Sequence, residues 1–357
     1  MHDLIIIGGG LAGLALAANA ARAGADIILL EARDRLGGRV LTHQTGAGRY
    51  DLGPAWIWPG MQPRLRALVA QAGLHTYPQH EAGGLMFEDA SGAIQRFARS
   101  FGQEPPSLRI TGGISALIDV LSAGLTADQI KLSMPVERLS LAADHVRVRT
   151  ESSEFTARHV ALAMPPRLAA ALTFEPALPR ALQAHLQSVP TWMAGQAKAL
   201  AIYLTGFWRD IGLSGSAMSQ IGPLGEIHDA SLPGADEAAL FGFFAWSPAQ
   251  RAAQQDMLAD AVCAQLARLF GPSAALPEAL VIRDWATDHW TSTSLDHAPL
   301  REHPTYRPLD WPRPWGDRVL LAGSESTADF GGYLEGALAA ATAVAEKISI
   351  NRDFSLF

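Results

Sequence analysis

An α/β fold, in which a parallel sheet lies between helical layers and carries an inserted α+β unit, is the architecture this sequence predicts. Three observations point to it. Residues 3–7 (DLIII) and 26–31 (DIILLE) are short apolar runs without alternation, as expected of parallel strands covered on both faces. The Ala- and Leu-rich stretch 11–24 separates them and stops at Gly24, so it reads as the helix of a strand–helix–strand unit. At the other end of the chain, 318–348 repeats the pattern, with a buried strand (RVLLAG) leading into a long Ala-rich helix.

Composition limits the function classes. The 357 residues suggest about two domains; 48% are hydrophobic and 18% charged, the balance of a globular protein. A net charge of −7, with Lys and Arg scattered, argues against nucleic acid or an anionic membrane as partner. Cys263 is the single cysteine, which excludes an internal disulfide and a cysteine metal cage; its helical setting, LADAVCAQLARLF, suggests a buried structural thiol. Residues 4–21 carry no charge, yet no basic segment precedes them and glycines interrupt them, so neither a leader nor an anchor is expected. The C-terminal AVAEKISINRDFSLF contains no apolar stretch of roughly 20 residues. A soluble, cytoplasmic protein is the expectation. His and Glu show no zinc-type spacing, so no metal is expected, and GLSGSAM at 212–218 lacks the spacing of a serine nucleophile turn.

The first turn carries the chemistry. Gly8, Gly10 and Gly13 fall in the G-x-G-x-x-G pattern between the first strand and first helix. Gly8 permits the tight turn, Gly10 lets a phosphate approach the backbone, and Gly13 lets helix and strand pack closely. The helix N-terminus then offers free N–H groups and positive dipole charge to a diphosphate. Glu31 closes the second strand 18 residues after Gly13, where its carboxylate can accept hydrogen bonds from ribose hydroxyls. Strand, glycine turn, helix, strand and acid in this order predict a Rossmann-like site for a dinucleotide.

Further along, 85–98 reads as a hairpin, 111–125 as a helix after paired glycines, and 136–141, 145–150 and 154–164 as a strand meander. Pro165-Pro166 stops the last strand and marks the crossover into the insert, with helices at 178–188 and 248–270 and strands near 197–204, 240–246 and 279–286. A proline-rich connector, 303–318, returns to the first domain. The expected division is 1–75, 112–165 and 315–357 for the nucleotide domain, and 76–111 and 166–314 for a mixed sheet flanked by helices. On the strand at 197–204, alternation puts Lys198 on one face with Leu200, Ile202 and Leu204, opposite Ala199, Ala201 and Tyr203. From the residues alone, such a lysine most often buries its stem and extends its ammonium to water.

Three separated blocks resemble one known family. EARDRLGGRV at 31–40, the D-x-G-x-x-W element within YDLGPAWIWPG, and AGSESTADFGGYLEGA at 322–337 are similar to the flavin-containing amine oxidases of the monoamine oxidase type. The resemblance implies non-covalent FAD held by Gly8, Gly10, Leu11, Ala12 and Gly13, then Glu31, Ala32 and Arg33. Gly37, Gly38, Arg39, Gly53, Pro54, Ala55, Trp56, Val136 and Trp285 follow, with Gly323, Ser324, Glu325, Gly332, Tyr333 and Leu334 from the C-terminal block. It puts Arg39 at the diphosphate, Glu325 near the ribityl chain, and the last helix N-terminus at the pyrimidine end of the flavin.

The family's strand lysine, followed by a Tyr and an F-W pair, matches Lys198, Tyr203, Phe207 and Trp208. The resemblance gives that lysine a water beside flavin N5 and a role in passing electrons to oxygen. The W-x-x-x-x-W element matches Trp285 and Trp290, with Trp285 against the flavin and Trp290 toward the substrate pocket. Lys198, Tyr333 and Trp285 are therefore the expected catalytic residues, and Trp290, Leu295 and Tyr333 the expected substrate pocket. Two positions depart from the pattern. Ser294 stands where some members attach FAD through a cysteine, and Leu295 where many place the second ring of an aromatic cage around the amine.

The implied reaction is dehydrogenation of a small neutral amine to an imine, by hydride-type transfer to flavin N5. Oxygen then reoxidises the flavin with release of hydrogen peroxide. Two alternatives stand beside it: a desaturase or porphyrinogen-oxidase-like enzyme, which Lys198 disfavours, and a flavoprotein maturation factor acting on a protein partner, which Leu295 leaves open.

Overall fold

The computed structural model describes residues 1–348 except Ala47, Phe101, Arg301, Asp310 and Asp317. Residues 349–357, expected to close the first domain, lie outside the described residues. The chain forms two large sheets. The first runs in the order Thr173–Glu175, Val136–Leu141, Val146–Thr150, Glu154–Leu162, His2–Ile7, Ile27–Leu30, Ile130–Lys131, with Val319–Leu321 added alongside Glu154–Leu162. Its central strands are parallel: Leu4 pairs with both His159 and Ile27, and Val160 with Val319. The N-terminal and C-terminal segments thus meet in one layer.

Continuous apolar strands follow from burial on both faces. Leu4 and Ile6 pack with the helices Leu11–Arg22, Ser115–Ala123 and Leu334–Lys347. Ile5 and Ile7 point the other way, into a cluster with Val148, Phe174, Leu186 and Trp315. The small residues of the first and last helices let them lie close to each other and to the sheet.

The second sheet runs Ala279–Asp284, Ala197–Tyr203, Ala238–Phe244, Leu224–Asp229, Leu213–Ser219, Gly84–Glu88, Ile94–Phe97. One face packs on the helix Leu258–Phe270. The other, with Leu200, Ile202 and Phe241, packs on Tyr50 and Leu52 from the nucleotide-domain side. That second contact aims the sheet at the first glycine turn.

Some expectations change. The stretch 248–270 is not one helix: Pro248–Ala253, capped by Ser247, gives way to a 3-10 turn at Gln255–Met257 before Leu258–Phe270 begins. Arg251 is the reason the first piece sits where it does, since its buried guanidinium grips Asp284 at 2.6 Å. The chain also does not leave the first sheet at Pro165-Pro166. Pro165 opens a short helix, Thr173–Glu175 adds a strand beside Val136–Leu141, and Leu182 and Leu186 of the helix Arg180–Ser188 pack beneath it. Leu213–Ser219 and Leu224–Asp229 are strands that the sequence reading did not identify.

One buried carboxylate joins two helix starts. Glu335, in the first turn of the last helix, accepts from the backbone N–H of Leu65 at 2.8 Å and of Arg64 at 3.1 Å, and it is fully buried. It therefore caps the helix Pro63–Gln71, whose own N-cap residue makes no side-chain bond. Glu335→Ala strands these donors and is expected to cost about 2–4 kcal/mol, read from urea unfolding. An unchanged midpoint would remove the capping role.

Among the described residues no helix is long and apolar enough to cross a membrane, and no group of three His, Cys, Asp or Glu is placed to hold a metal.

Candidate active site

The first turn is built by contacts that only glycine allows. Gly8 has φ +112°, and a Cβ there would lie 2.4 Å from the Ala163 carbonyl oxygen. A Cβ on Gly13 would lie 1.9 Å from the Gly8 oxygen, so the helix can sit this close only without one. Gly10 is different: a Cβ there meets nothing nearer than 3.8 Å. The protein itself leaves room at Gly10, and that room opens into a cavity. The following helix has no side-chain cap and no acid in its first turn, so its N–H groups and positive dipole end are available to an anion. Glu31 is buried behind the turn; its oxygens accept from Gly9 N–H at 2.6 Å and Arg33 N–H at 2.9 Å.

The two ends of the chain are joined by an ion pair. Arg39 donates to Glu325 Oε1 at 2.5 Å, to Glu325 Oε2 at 3.1 Å and to Ser324 Oγ at 3.1 Å. Gly37 N–H bonds Gly9 carbonyl at 2.8 Å, which brings the G-G-R turn against the first glycine turn. The last helix begins at Leu334, again without a side-chain cap at Tyr333, and faces the same cavity. Two uncapped helix starts thus open on one space.

Lys198 stands on the other wall. It is 2% exposed, and its ammonium donates to the Gly53 carbonyl at 2.6 Å and the Asp51 carbonyl at 3.1 Å. The nitrogen lies 4.6 Å from the Phe241 ring centroid and 5.1 Å from that of Phe243. Burial pushes its pKa down to about 7; Asp51 opposes that shift and Arg109 adds to it. The lysine therefore does not reach out to water, because Tyr50 and Leu52 close the face that alternation had left open. Leu204, placed on the same face in the sequence reading, lies past the strand end and is exposed. Trp285 fills the space beside Lys198, with its indole N–H on the Leu52 carbonyl at 3.1 Å and the Arg283 guanidinium 4.5 Å from its ring.

These groups enclose a cavity of about 1210 Å³, above the roughly 300–1,000 Å³ of an ordinary small-molecule pocket. Of the expected residues, it is lined by Gly8, Gly10, Leu11, Ala12, Glu31, Ala32, Arg33, Gly37, Gly38, Arg39, Gly53, Pro54, Ala55, Trp56, Val136, Lys198, Trp285, Trp290, Gly323, Ser324, Gly332, Tyr333 and Leu334. Three expected residues do not line it. Gly13 is sealed under the turn and Glu325 lies behind Arg39. Leu295 sits on the 3-10 turn Ser294–Asp296 and is 55% exposed. That turn acts at one remove. Asp296 accepts from the backbone N–H of Thr191 at 2.9 Å and pairs with Arg167, which holds the bend that carries Trp192 and Met193 into the cavity.

Sequence reasoning missed Trp192, Met193, Gln196, Glu226, Phe243 and His289 among the lining residues. Phe243 had a signal, since it sits on the apolar strand read near 240–246. Tyr333 is stacked on His303, with centroids 4.9 Å apart, so one face of its ring is occupied by the chain itself.

Comparison with known proteins fits this geometry. A family described as flavin containing amine oxidoreductase matches residues 81–349, and one described as NAD(P)-binding Rossmann-like domain matches residues 6–72. The probable flavin-containing monoamine oxidase A of Dictyostelium discoideum is 22% identical over 98% of this chain and 97% of its own. Human amine oxidase [flavin-containing] B is 23% identical over 97% and 86% respectively. The first alignment spans 448 positions against 357 residues here, so that relative carries insertions this chain lacks. Among solved structures, a putrescine oxidase bound to putrescine superposes with a TM-score of 0.81 at 21% identity, covering 98% of this chain and 99% of that one. The cyclohexylamine oxidase of Brevibacterium oxydans gives 0.79 at 22% identity over 98% and 99%.

Proposed function

The chain belongs to the flavin containing amine oxidoreductases, with FAD as cofactor, and on that premise we propose that it oxidises a small amine to an imine with oxygen as electron acceptor. The observation that carries this reading is the meeting of Lys198, Trp285 and two uncapped helix starts on one cavity.

The residues present fit FAD. The gap left at Gly10 admits a diphosphate, the helix start at Leu11 faces it, and Arg39 supplies a fixed cation. The helix start at Leu334 would stabilise negative charge at the ring end. Cys263, the single cysteine, is not among the lining residues, so FAD would be held by these contacts without a thioether. Bound FAD supplies the electron-accepting chemistry. Residues 1–75, 112–165 and 315–348 would hold the cofactor, together with 166–188, which stay on the first sheet. The rest of the insert shapes the substrate side.

Trp56, Phe243, Trp285 and Tyr333 give the substrate a largely apolar wall that keeps water out and favours an unprotonated amine. Among the described residues Lys198 is the one lysine lining the cavity, and in its ammonium form it would supply positive charge where oxygen is reduced. Its two carbonyl partners fix it in place.

Anaerobic mixing of the purified yellow protein with a panel of small amines tests the reading. Bleaching of the flavin absorbance, followed by peroxide release on admitting air, is the expected result. A protein that binds flavin but is bleached only by cyclic hydrocarbon or porphyrinogen substrates would instead be the desaturase type. One that no small molecule reduces, and that forms a stable protein complex, would be the maturation factor.

A further inference from the structure

A second cation is buried behind the wall that holds Lys198, and neither the cofactor nor the amine chemistry uses it. Arg109 lies on the short strand Leu108–Ile110, which pairs with Thr76–Pro78 and bridges to Ile57 beside Trp56. It is 3% exposed and does not line the cavity. Trp56, which does, donates its indole N–H to Gln79 at 2.8 Å, and Gln79 in turn donates to the Asp229 carbonyl at 2.7 Å. Arg109 donates to that same carbonyl at 3.4 Å. The guanidinium is therefore one layer behind the Trp56 ring.

Its surroundings leave it largely unpaired. Among the described residues the Asp229 carbonyl is its one acceptor, its Nε is buried without a partner, and it forms no ion pair. The acids around it are committed elsewhere. Asp229 Oδ2 accepts from Trp208 Nε1 at 2.9 Å and Arg209 Nε at 2.8 Å, and its Oδ1 accepts from the Ser231 N–H at 2.8 Å. Asp51 Oδ1 accepts from Thr42 Oγ1 at 2.8 Å and the Ile114 N–H at 2.9 Å. The fold thus keeps a full positive charge where packing alone favours an apolar side chain.

What that charge meets is Lys198. The Lys198 nitrogen lies 4.6 Å, and the Arg109 guanidinium carbon 5.5 Å, from the centroid of the same Phe241 ring. The two cations are at most about 10 Å apart, both buried against one aromatic ring, so their repulsion is weakly screened. The other charged and titratable groups around Lys198 have partners of their own or stay neutral. Arg283, opposite it on the edge strand, is paired with Asp288, and Glu226 on Leu224–Asp229 is bonded by His228. Burial raises Tyr50 and Tyr77, which stay protonated. Asp51 alone attracts the ammonium and opposes Arg109, and burial raises its own pKa.

Resting on the amine oxidase reading, we infer that Arg109 acts through Lys198: a permanent cation behind the wall, it repels the ammonium and so sets the upper pH limit of flavin reoxidation by oxygen. It is a positioning residue for charge, since it does not touch the cavity. A guanidinium keeps its proton at every working pH, so the repulsion is constant and the lysine alone titrates.

Arg109→Met and Arg109→Gln test this in the holoenzyme. Both remove the charge; Gln keeps a donor for the Asp229 carbonyl, and Met is the apolar alternative. Flavin content shows that each is folded. The flavin is reduced with dithionite in the absence of air and mixed with oxygenated buffer across a pH series, which gives a reoxidation rate that needs no amine. In the parent that rate falls as pH rises through about 7. In both variants the fall moves to about pH 8 or above, a gain of about tenfold in the proton affinity of the lysine. An unmoved limit, a limit moved to lower pH, or loss of folding in both variants overturns the inference.

Urea unfolding reads the same repulsion without oxygen. Lys198→Met stabilises the parent in acid, because a buried ammonium is unfavourable there; with Arg109→Met already present, that gain shrinks by about tenfold in the folding equilibrium. Shrinkage without any pH limit on reoxidation, and without flavin reduction by any amine of the panel, shows the two cations coupled and the oxidase reading at fault. A pH limit that both variants leave in place, with the acid gain undiminished, sinks the role of Arg109 alone.

Discussion

Gly13→Ala is expected to yield a destabilised protein that retains no flavin, whereas Gly10→Ala folds normally and only holds FAD more weakly. The difference lies in what each missing Cβ would strike. At Gly13 it would come within 1.9 Å of the Gly8 carbonyl oxygen and 3.2 Å of the Ala163 Cβ. Neither can retreat, because Gly8 is fixed by its own bond to the Leu30 carbonyl and by φ +112°. The first helix must lift from the sheet, at a cost of at least about 3 kcal/mol, and the turn it supports opens. At Gly10 the nearest protein atom is 3.8 Å away and φ is −76°, which any residue adopts. A methyl group there meets the ligand rather than the protein, and a penalty of about 1–3 kcal/mol corresponds to roughly a 5- to 150-fold loss of FAD affinity. Urea unfolding of the flavin-free proteins and fluorescence titration with FAD separate the two effects. Equal behaviour of the two variants would show that Gly10 is structural and that the diphosphate is held elsewhere.

That contrast also marks what could be read in the sequence. The pattern of glycines, the paired apolar strands and the closing Glu31 are local, so the nucleotide turn was legible in one stretch of chain. That Arg39 and Glu325 belong near one site was an expectation from resemblance alone, and their direct ion pair was not foreseen, because nothing local links residues from opposite ends of the chain. Alternation sorted Lys198 with Leu200 and Ile202 correctly, and Leu200 and Ile202 do face Tyr50 and Leu52. It could not show that this second wall exists, which is why a lysine that reads as reaching for water is buried. The strand Leu213–Ser219 was missed because LSGSAMS has no β-branched residue; it forms a strand by being paired on both sides. Glu226 was invisible for a related reason. Its neighbours in the cavity are cross-strand partners, and register is decided by the turns and bulges between strands rather than by the residues that end up side by side.

Lys198→Met should slow flavin reoxidation by oxygen about 100-fold or more, the scale of losing a buried electrostatic stabiliser, while leaving anaerobic reduction by amine far less affected. The same substitution should stabilise the folded chain at neutral and acidic pH. Burial lowers the Lys198 pKa from its ordinary 10.5 to about 7, although Asp51 works in the opposite direction. Across that window the unfolded chain holds a proton that the folded one has released, so stability rises with pH. The penalty is therefore complete below about pH 7 and gone above about pH 10.5. Methionine removes it, so the gain is largest in acid, of the order of a few kcal/mol, and fades toward alkaline pH. There the loss of the bonds to the Asp51 and Gly53 carbonyls, about 1 kcal/mol each, leaves the variant the weaker protein. Urea midpoints at about pH 6 and about pH 10 should thus cross over between parent and variant. The wild-type rate of reoxidation should itself fall as pH rises through about 7 and the ammonium is lost, whereas the variant should be slow and flat. A variant that is slow but shows no stability crossover would place the lysine near the flavin in a solvated setting; one with the crossover but normal reoxidation would leave Lys198 a buried structural amine.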